Sequence, residues 1–86
     1  MTKPNKNAVA AYIRSNLSMY IDADQQHINE INLFTSGVMG SFDLMNFIIS
    51  LEEKFCITVP AEYFDDRRFQ EIGTMPDVIV ELIDAQ

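Results

Sequence analysis

The fold of this chain is decided by the segment LFTSGVMGSFDL, residues 33–44, in which a loop with two glycines leads into an apolar helix. Ser41 stands where the loop ends and the helical pattern begins. A serine there acts as an N-cap, because its hydroxyl accepts a hydrogen bond from a first-turn N–H that has no partner within the helix. The same placement leaves the hydroxyl within reach of a modifying enzyme, so capping and modification both remain open from this segment alone.

The helix is predicted over residues 41–55 and carries two apolar stripes. The stripe that faces the core repeats every three or four residues and comprises Leu44, Ile48, Leu51 and Phe55. Phe47 lies between the stripes, and we assign it to the core. The second stripe, Phe42, Met45 and Ile49, widens the apolar surface beyond one buried face. It is compatible with a second packed side or with an exposed docking patch.

An amphipathic helix is also predicted over residues 7–20, from the spacing of Val9, Ile13 and Leu17 beside Tyr12 and Tyr20. Residues 1–5 precede it as a frayed leader. Between the two helices, residues 21–40 form a connection that is long for a compact domain, so we expect it to be functional or locally ordered.

Apolar residues are predicted to anchor this connection to the core. They are Ile28, Ile31, Leu33, Phe34, Val38 and Met39, with Leu33 and Phe34 buried. Gly37 is expected to supply a backbone conformation that is closed to other residues, and Gly40 to add freedom before Ser41. Asp22 and Asp24 do not begin a calcium loop, because the later ligands of such a loop are missing.

The C-terminal part is predicted to hold one short and one longer helix. Residues 60–64 begin a short helical turn with Pro60 in its first position, and Phe69 and Ile72 return to the core. The last helix begins near Ile72 or Thr74, where Thr74 and Asp77 form a loose capping box. The apolar face of that helix comprises Met75, Ile79, Leu82 and Ile83. Residues 1–86 thus form one all-α domain, an up-down bundle of three main helices and one short helix with a long first loop.

Composition excludes several classes of function. Thirteen acidic and six basic residues give a net charge of −7, which disfavours nucleic-acid binding and favours partners with basic patches. The short apolar runs indicate neither a membrane span nor a signal peptide, so we expect a soluble, cytoplasmic protein. Cys56 is the only cysteine, without metal-ligand spacing, and we expect it to be a small buried hydrophobe. His27, the only histidine, is expected to be solvated.

The chain resembles the acyl and peptidyl carrier protein family over most of its length, and the motifs that carry the resemblance lie within residues 33–60. The resemblance rests on Leu33, Phe34, Ser36, Gly37, Val38, Met39, Ser41, Phe42, Leu44, Phe47 and Ile48, then on Leu51-Glu52-Glu53-x-Phe55 and Ile57-x-Val59-Pro60. The family signature is a glycine, two apolar residues, an aspartate, a serine and an apolar residue, followed by a helix that ends Leu-Glu-Glu-x-Phe. The resemblance implies a carrier and not an enzyme.

By this resemblance, Ser41 carries 4′-phosphopantetheine, which a phosphopantetheinyl transferase takes from coenzyme A with Mg²⁺. The thiol of the arm holds an acyl or aminoacyl cargo as a thioester. Partners are then an activating ligase and acyl-transferring enzymes with basic docking patches. The docking residues implied are Val38, Met39, Phe42, Asp43, Met45, Glu62, Asp65 and Asp66. The protein is expected to be a monomer in fatty acid, polyketide or nonribosomal peptide biosynthesis, and Asn46 and Ser50 on the second helix favour a specialised carrier.

Two positions depart from the family pattern. Gly40 replaces the acidic residue that helps the transferase and its metal ion engage the serine, and Cys56 replaces a glycine that stops the helix. The alternative function is therefore an unmodified, carrier-like structural or adaptor subunit, disabled for modification by Gly40. A small enzyme is disfavoured, because the sequence contains no evident carboxylate pair, nucleophile–base pair or metal cluster.

Overall fold

Three helices, each apolar along one face, make up most of this chain in a computed structural model that describes residues 3–22 and 26–85. The elements are α1 (Lys6–Leu17), a 3₁₀ turn η1 (Ile28–Glu30), α2 (Ser41–Phe55), a 3₁₀ turn η2 (Ala61–Asp65), α3 (Arg67–Gln70) and α4 (Met75–Asp84). The described residues contain no strand beyond an isolated β-bridge between Asn32 and Glu71. The predicted all-α bundle is confirmed, with α1, α2 and α4 as its main helices. Residues 1 and 2 of the predicted leader, and Asp24 of the connection, lie outside the described residues.

The ends of α1 differ from the prediction. Asn5 is its N-cap and accepts a hydrogen bond from the N–H of Ala8 at 2.8 Å, so Asn5 is a structural cap and not part of a frayed leader. At the other end, the N–H groups of Tyr20 and Ile21 both donate to the carbonyl of Leu17, each at 2.9 Å. This turn ends the helix three residues before the predicted boundary and leaves Tyr20 exposed.

The core is apolar throughout the part of the chain that the structure describes, with no buried polar or charged side chain there. It takes Val9, Ile13 and Leu17 from α1, Phe47, Ile48, Leu51 and Phe55 from α2, and Met75, Val78, Ile79, Leu82 and Ile83 from α4. The core assignments made from helical spacing are confirmed, except that Leu44 is only half-buried. Removal of these side chains from water is the main favourable contribution to folding.

Of the three main helices, α1 runs in the opposite direction to the other two, so α2 and α4 are parallel to each other. Two ion pairs show this for α1 and α4. Lys3, which precedes α1, pairs with Asp84 at the end of α4 at 3.8 Å, whereas Lys6, the first residue of α1, pairs with Asp77 near the start of α4 at 3.1 Å. Between α1 and α2, Tyr12 meets Phe55 edge-on with 5.4 Å between ring centroids, and the end of α1 lies beside the start of α2. α1 is therefore antiparallel to both of its neighbours.

The long connection is held by backbone hydrogen bonds to the segment between α3 and α4. The bonds are Leu33 N–H to Gln70 O at 2.8 Å, Ile72 N–H to Ile31 O at 3.1 Å and Gly73 N–H to Asn29 O at 2.9 Å. Leu33 is buried, whereas Phe34 is half-buried and packs against Phe64 and Phe69. The prediction of an anchored connection is confirmed, and the prediction that Phe34 is buried holds only in part.

The predicted short helix is in fact two elements. Pro60 precedes η2 and is not its first residue, and α3 follows almost at once because the carboxylate of Asp66 accepts the N–H of Arg68 at 2.9 Å. The capping box expected at the start of α4 is wrong. Thr74 directs its hydroxyl to the carbonyl of Arg68, to which it donates at 2.7 Å, and so joins α4 to α3.

Cys56 ends α2 in an unusual backbone conformation. Its φ of 55° and ψ of 47° lie in the left-handed region, and the N–H of Ile57 donates to the carbonyl of Glu52 at 3.1 Å, as in a Schellman turn. The side chain is exposed, so the expectation of a small buried hydrophobe is wrong. A residue with a Cβ atom adopts this conformation at a cost of roughly 1–2 kcal/mol, which glycine avoids.

Replacement of Cys56 by glycine is therefore expected to stabilise the chain. We expect Cys56→Gly to raise the free energy of unfolding by about 1 kcal/mol, since part of the relief is offset by the greater freedom of glycine in the unfolded chain. Urea unfolding under reducing conditions measures the change. Cys56→Ala is the matched control, because it removes the thiol but keeps the Cβ atom. An equal gain in both variants would contradict the backbone explanation.

Candidate functional site

Ser41 is exposed and is the first residue of α2. The N-cap is Gly40, whose carbonyl accepts the N–H of Leu44 at 2.9 Å and whose φ and ψ are −71° and 164°. The prediction that Ser41 caps the helix is therefore wrong by one residue. Gly40 is in an extended conformation, and helical backbone begins at the next residue, Ser41. The small residues around Gly40 do not determine that conformation from sequence alone.

The N-terminus of α2 has no side-chain cap. Gly40 has no side chain to accept a first-turn N–H, and the Ser41 hydroxyl makes no hydrogen bond within the part of the chain that the structure describes. First-turn N–H groups and the helix dipole favour negative charge at such an end. Asp43 supplies one negative charge in this turn. The hydroxyl of Ser41 therefore lies, unbonded and exposed, beside backbone groups that favour an anion.

The loop ahead of Ser41 combines a glycine turn with one buried anchor. Gly37 has a φ of 77°, which confirms the expected conformation closed to other residues. Val38 is half-buried, and its N–H donates to the Ser36 hydroxyl at 3.4 Å. Met39 is only 8% exposed and belongs to the core. Met39 was predicted both to anchor this connection and to be a docking residue; its burial confirms the anchor and leaves little of the side chain accessible for docking.

The second apolar stripe of α2 faces solvent. Phe42 is 79% exposed, Met45 46% and Ile49 44%, so the alternative of a second packed side is wrong. Glu53 lies on the same side of the helix, four residues after Ile49, and is also exposed. We call Phe42, Met45 and Ile49 the apolar stripe. It begins one residue after Ser41 and runs along the exposed length of α2.

Most basic residues of the described chain are held in ion pairs. Four of the six basic residues form ion pairs: Lys3 with Asp84, Lys6 with Asp77, Arg67 with Glu71 and Arg68 with Glu81. The hydrogen bond to Glu81 and the charge of that carboxylate raise the pKa of the Arg68 guanidinium above its ordinary value. These pairs join α1 and α3 to α4 or lie within α3 and its end, away from α2.

The remaining two basic residues contact uncharged groups. Arg14 donates a hydrogen bond to Asn29 at 3.1 Å, and Lys54 lies 5.7 Å from the centroid of the Tyr12 ring. The acids near Ser41 and on η2 are left without a basic partner among residues 3–22 and 26–85: Asp43, Glu53, Glu62 and Asp65. Asp66, also predicted to dock partners, is instead half-buried and caps α3.

A shallow groove between α1 and α2 was not predicted. Its volume is about 250 Å³, and it runs from Asn16, Met19 and Tyr20 to Asp43 and Asn46. Met19 is 87% exposed beside it. The predicted helix includes residues 18–20, but in the structure these residues form a turn that brings Met19 to this surface. The groove depends on the antiparallel placement of two helices that are distant in sequence, so no local signal could have located it.

A metal site and a membrane-spanning helix are both absent from the residues that the structure describes. These residues contain no group of three His, Cys, Asp or Glu side chains able to hold a metal ion, and none of their helices is long and apolar enough to cross a membrane. His27 is exposed and lies 3.1 Å from Glu30, as expected for a solvated histidine. Comparison of the chain with protein-family models, with curated proteins and with solved structures finds no match.

An added side chain at Gly40 should complete the cap of α2. A Cβ atom built at Gly40 meets nothing within 4 Å, so substitution there is sterically free. We expect Gly40→Asp to raise the free energy of unfolding by about 0.5–1 kcal/mol, through a new hydrogen bond to a first-turn N–H and attraction to the helix dipole. Gly40→Asn is the matched uncharged control, and thermal unfolding at low and high salt separates the two contributions. A loss of stability in both variants would contradict this description of the N-terminus.

Proposed function

We propose that this chain is a carrier protein whose Ser41 hydroxyl receives a 4′-phosphopantetheine arm. The observation that carries the proposal is the exposed, unbonded hydroxyl on the first residue of a helix without a side-chain cap. The resemblance of the surrounding segment to carrier proteins gives the chemical identity of the arm. The all-helical fold is compatible with that resemblance.

The residues around Ser41 are suited to a phosphodiester. Attachment would form a bond between the serine oxygen and the phosphorus bearing the pantetheine, and would break the phosphorus–oxygen bond to adenosine 3′,5′-bisphosphate. The serine proton would pass to a base of the transferase. The resulting negative charge would lie at the uncapped end of α2, where the N–H groups and dipole stabilise it. When bound, the arm supplies a thiol that holds an acyl or aminoacyl group as a thioester.

The surface beside Ser41 would serve as the docking site for partners. The apolar stripe offers area for burial, and Met45 adapts easily to different surfaces because its side chain is flexible. The unpaired carboxylates on α2 and η2 attract basic patches and thereby raise the rate of encounter more than the affinity. The partners are a phosphopantetheinyl transferase, an activating ligase and acyl-transferring enzymes.

Gly40 supports a second candidate function. The carrier family has an acidic residue at this position, and here no side chain is present to help a transferase and its metal ion. The apolar stripe and the carboxylates do not depend on modification of Ser41. The alternative is therefore a carrier-like adaptor subunit, which binds partners through the same surface without a prosthetic arm.

Intact mass after incubation with coenzyme A, Mg²⁺ and a broad-specificity phosphopantetheinyl transferase distinguishes the two functions. We expect the native chain to gain one phosphopantetheine and Ser41→Ala to gain none. Gly40→Asp should be modified faster than the native chain, and Gly40→Asn, which has no charge, should not be. No gain in the native chain with full gain in Gly40→Asp would favour the adaptor. If no variant gains phosphopantetheine, the proposal that Ser41 is a carrier site is contradicted.

Removal of the unpaired carboxylates should weaken the salt dependence of modification. We expect Glu62→Gln with Asp65→Asn to lower the loading rate at low ionic strength and to make that rate less sensitive to salt, since the steering charge is reduced. Glu30→Gln with Asp84→Asn removes the same charge from carboxylates that contact His27 and Lys3, outside α2 and η2, and is the matched control. An unchanged dependence of the loading rate on salt in the first variant would show that η2 does not meet the transferase.

A further inference from the structure

Two amide side chains that are 38 residues apart join the loop ahead of Ser41 to η2. The bonds, in order, are Phe34 N–H to Asn32 Oδ1 at 2.8 Å, Thr35 N–H to Asn32 Oδ1 at 3.1 Å, Asn32 Nδ2 to Gln70 Oε1 at 2.9 Å and Gln70 Nε2 to Phe64 O at 2.7 Å. Asn32 and Gln70 are both half-buried. We call this chain of hydrogen bonds the amide relay.

The direction of every bond in the relay is fixed by its two ends. At one end, the backbone N–H groups of Phe34 and Thr35 can only donate, so Asn32 must present its oxygen to them. At the other end, the carbonyl of Phe64 can only accept, so Gln70 must present its nitrogen. The remaining amide groups then face each other as donor and acceptor. A side chain that only accepts or only donates cannot replace either amide without the loss of a bond.

The relay connects the two parts of the surface that the proposed function uses. From Asn32 the chain continues through the glycine turn to Ser41, while Phe64 lies within η2 between Glu62 and Asp65. Stacked and edge-on contacts among Phe34, Phe64 and Phe69, with 6.0–6.2 Å between centroids, pack the same two segments together. The aromatic contacts favour particular ring orientations, and the hydrogen bonds add fixed donor and acceptor partners to the same contact between the two segments.

We propose that Asn32 and Gln70 are positioning residues that fix η2 relative to the loop that leads to Ser41. A partner enzyme with a basic surface then meets the serine and the carboxylates of Glu62 and Asp65 at a constant spacing. This inference rests on the proposed function for its consequence at Ser41. The fixed arrangement itself is a property of the free chain and is tested separately.

The free chain is tested with Gln70→Glu, which exchanges the bond-donating amide for a group that donates only when protonated. At neutral pH the introduced carboxylate faces the carbonyl of Phe64 without a hydrogen atom to share. We expect hydrogen-exchange protection of the amides of Phe34, Thr35 and residues 61–65 to fall roughly tenfold relative to the native chain. At acidic pH the protonated carboxyl donates again, and the difference from the native chain should narrow. Unchanged protection at neutral pH would overturn the inference.

The consequence for docking is tested with Gln70→Met, which keeps the size of the side chain and removes both bonds without adding charge. We expect the KM of the transferase for the chain to rise roughly three- to tenfold with little change in kcat. In a chain that already carries Glu62→Gln and Asp65→Asn, the same substitution should raise KM much less, because the carboxylates it positions are absent. A purely structural role would give equal effects in both backgrounds, and that additivity would overturn the inference.

Asn5→Ala is the matched control for stability. It removes the cap of α1, which costs about 1 kcal/mol, at a site outside the loop and η2. Assayed well below the unfolding temperature, this variant should retain the native KM. A rise in KM equal to that of Gln70→Met would also overturn the inference. If the native chain is not modified at all, the proposed function fails, and the exchange measurement alone then decides whether the relay fixes η2.

Discussion

Three backbone hydrogen bonds between residues 29–33 and residues 70–73 hold the two halves of this chain together. They require the two segments to approach closely at Gly73, where an added Cβ atom would lie 2.7 Å from the Cβ of Asn29 and 2.9 Å from its carbonyl oxygen. Only glycine permits that approach without a shift of the backbone. The long connection is thereby tied to the region between α3 and α4, so that Leu33 and Met39 are buried and Ser41 is placed at a defined edge of the bundle.

Contacts between distant segments also separate the features that the sequence predicts from those that it does not. α2 was predicted with both of its ends, because its core residues repeat at helical spacing and a loop precedes it. The identity of Gly40 as the N-cap of α2, and the hydrogen bond from Thr74 to Arg68, depended on local backbone geometry that residue type alone does not set. Gly73, Asn32 and Gln70 were missed for another reason. Their contacts join segments about 40 residues apart, and no periodic pattern marks such pairs.

At the candidate site, the exposed serine and the apolar stripe were predicted, but the arrangement of charge was not. The sequence showed thirteen acids without indicating which of them would be neutralised. Among the described residues, Lys3, Lys6, Arg67 and Arg68 are held in ion pairs with Asp84, Asp77, Glu71 and Glu81, and no ion pair involves Asp43, Glu53, Glu62 or Asp65. The fold, and not the net charge alone, thus decides which carboxylates have a basic partner.

This placement of charge also governs how copies of the chain meet one another. An exposed phenylalanine, methionine and isoleucine in a row would normally promote self-association. Two copies that brought these stripes together would also place the Glu53 carboxylate of each copy in or beside the contact, because Glu53 lies on the same side of α2. At physiological ionic strength, like charges within about 8 Å repel each other, which opposes self-association through this face. This repulsion keeps the apolar stripe exposed at high protein concentration, and concentrated salt would weaken the repulsion by screening the charges.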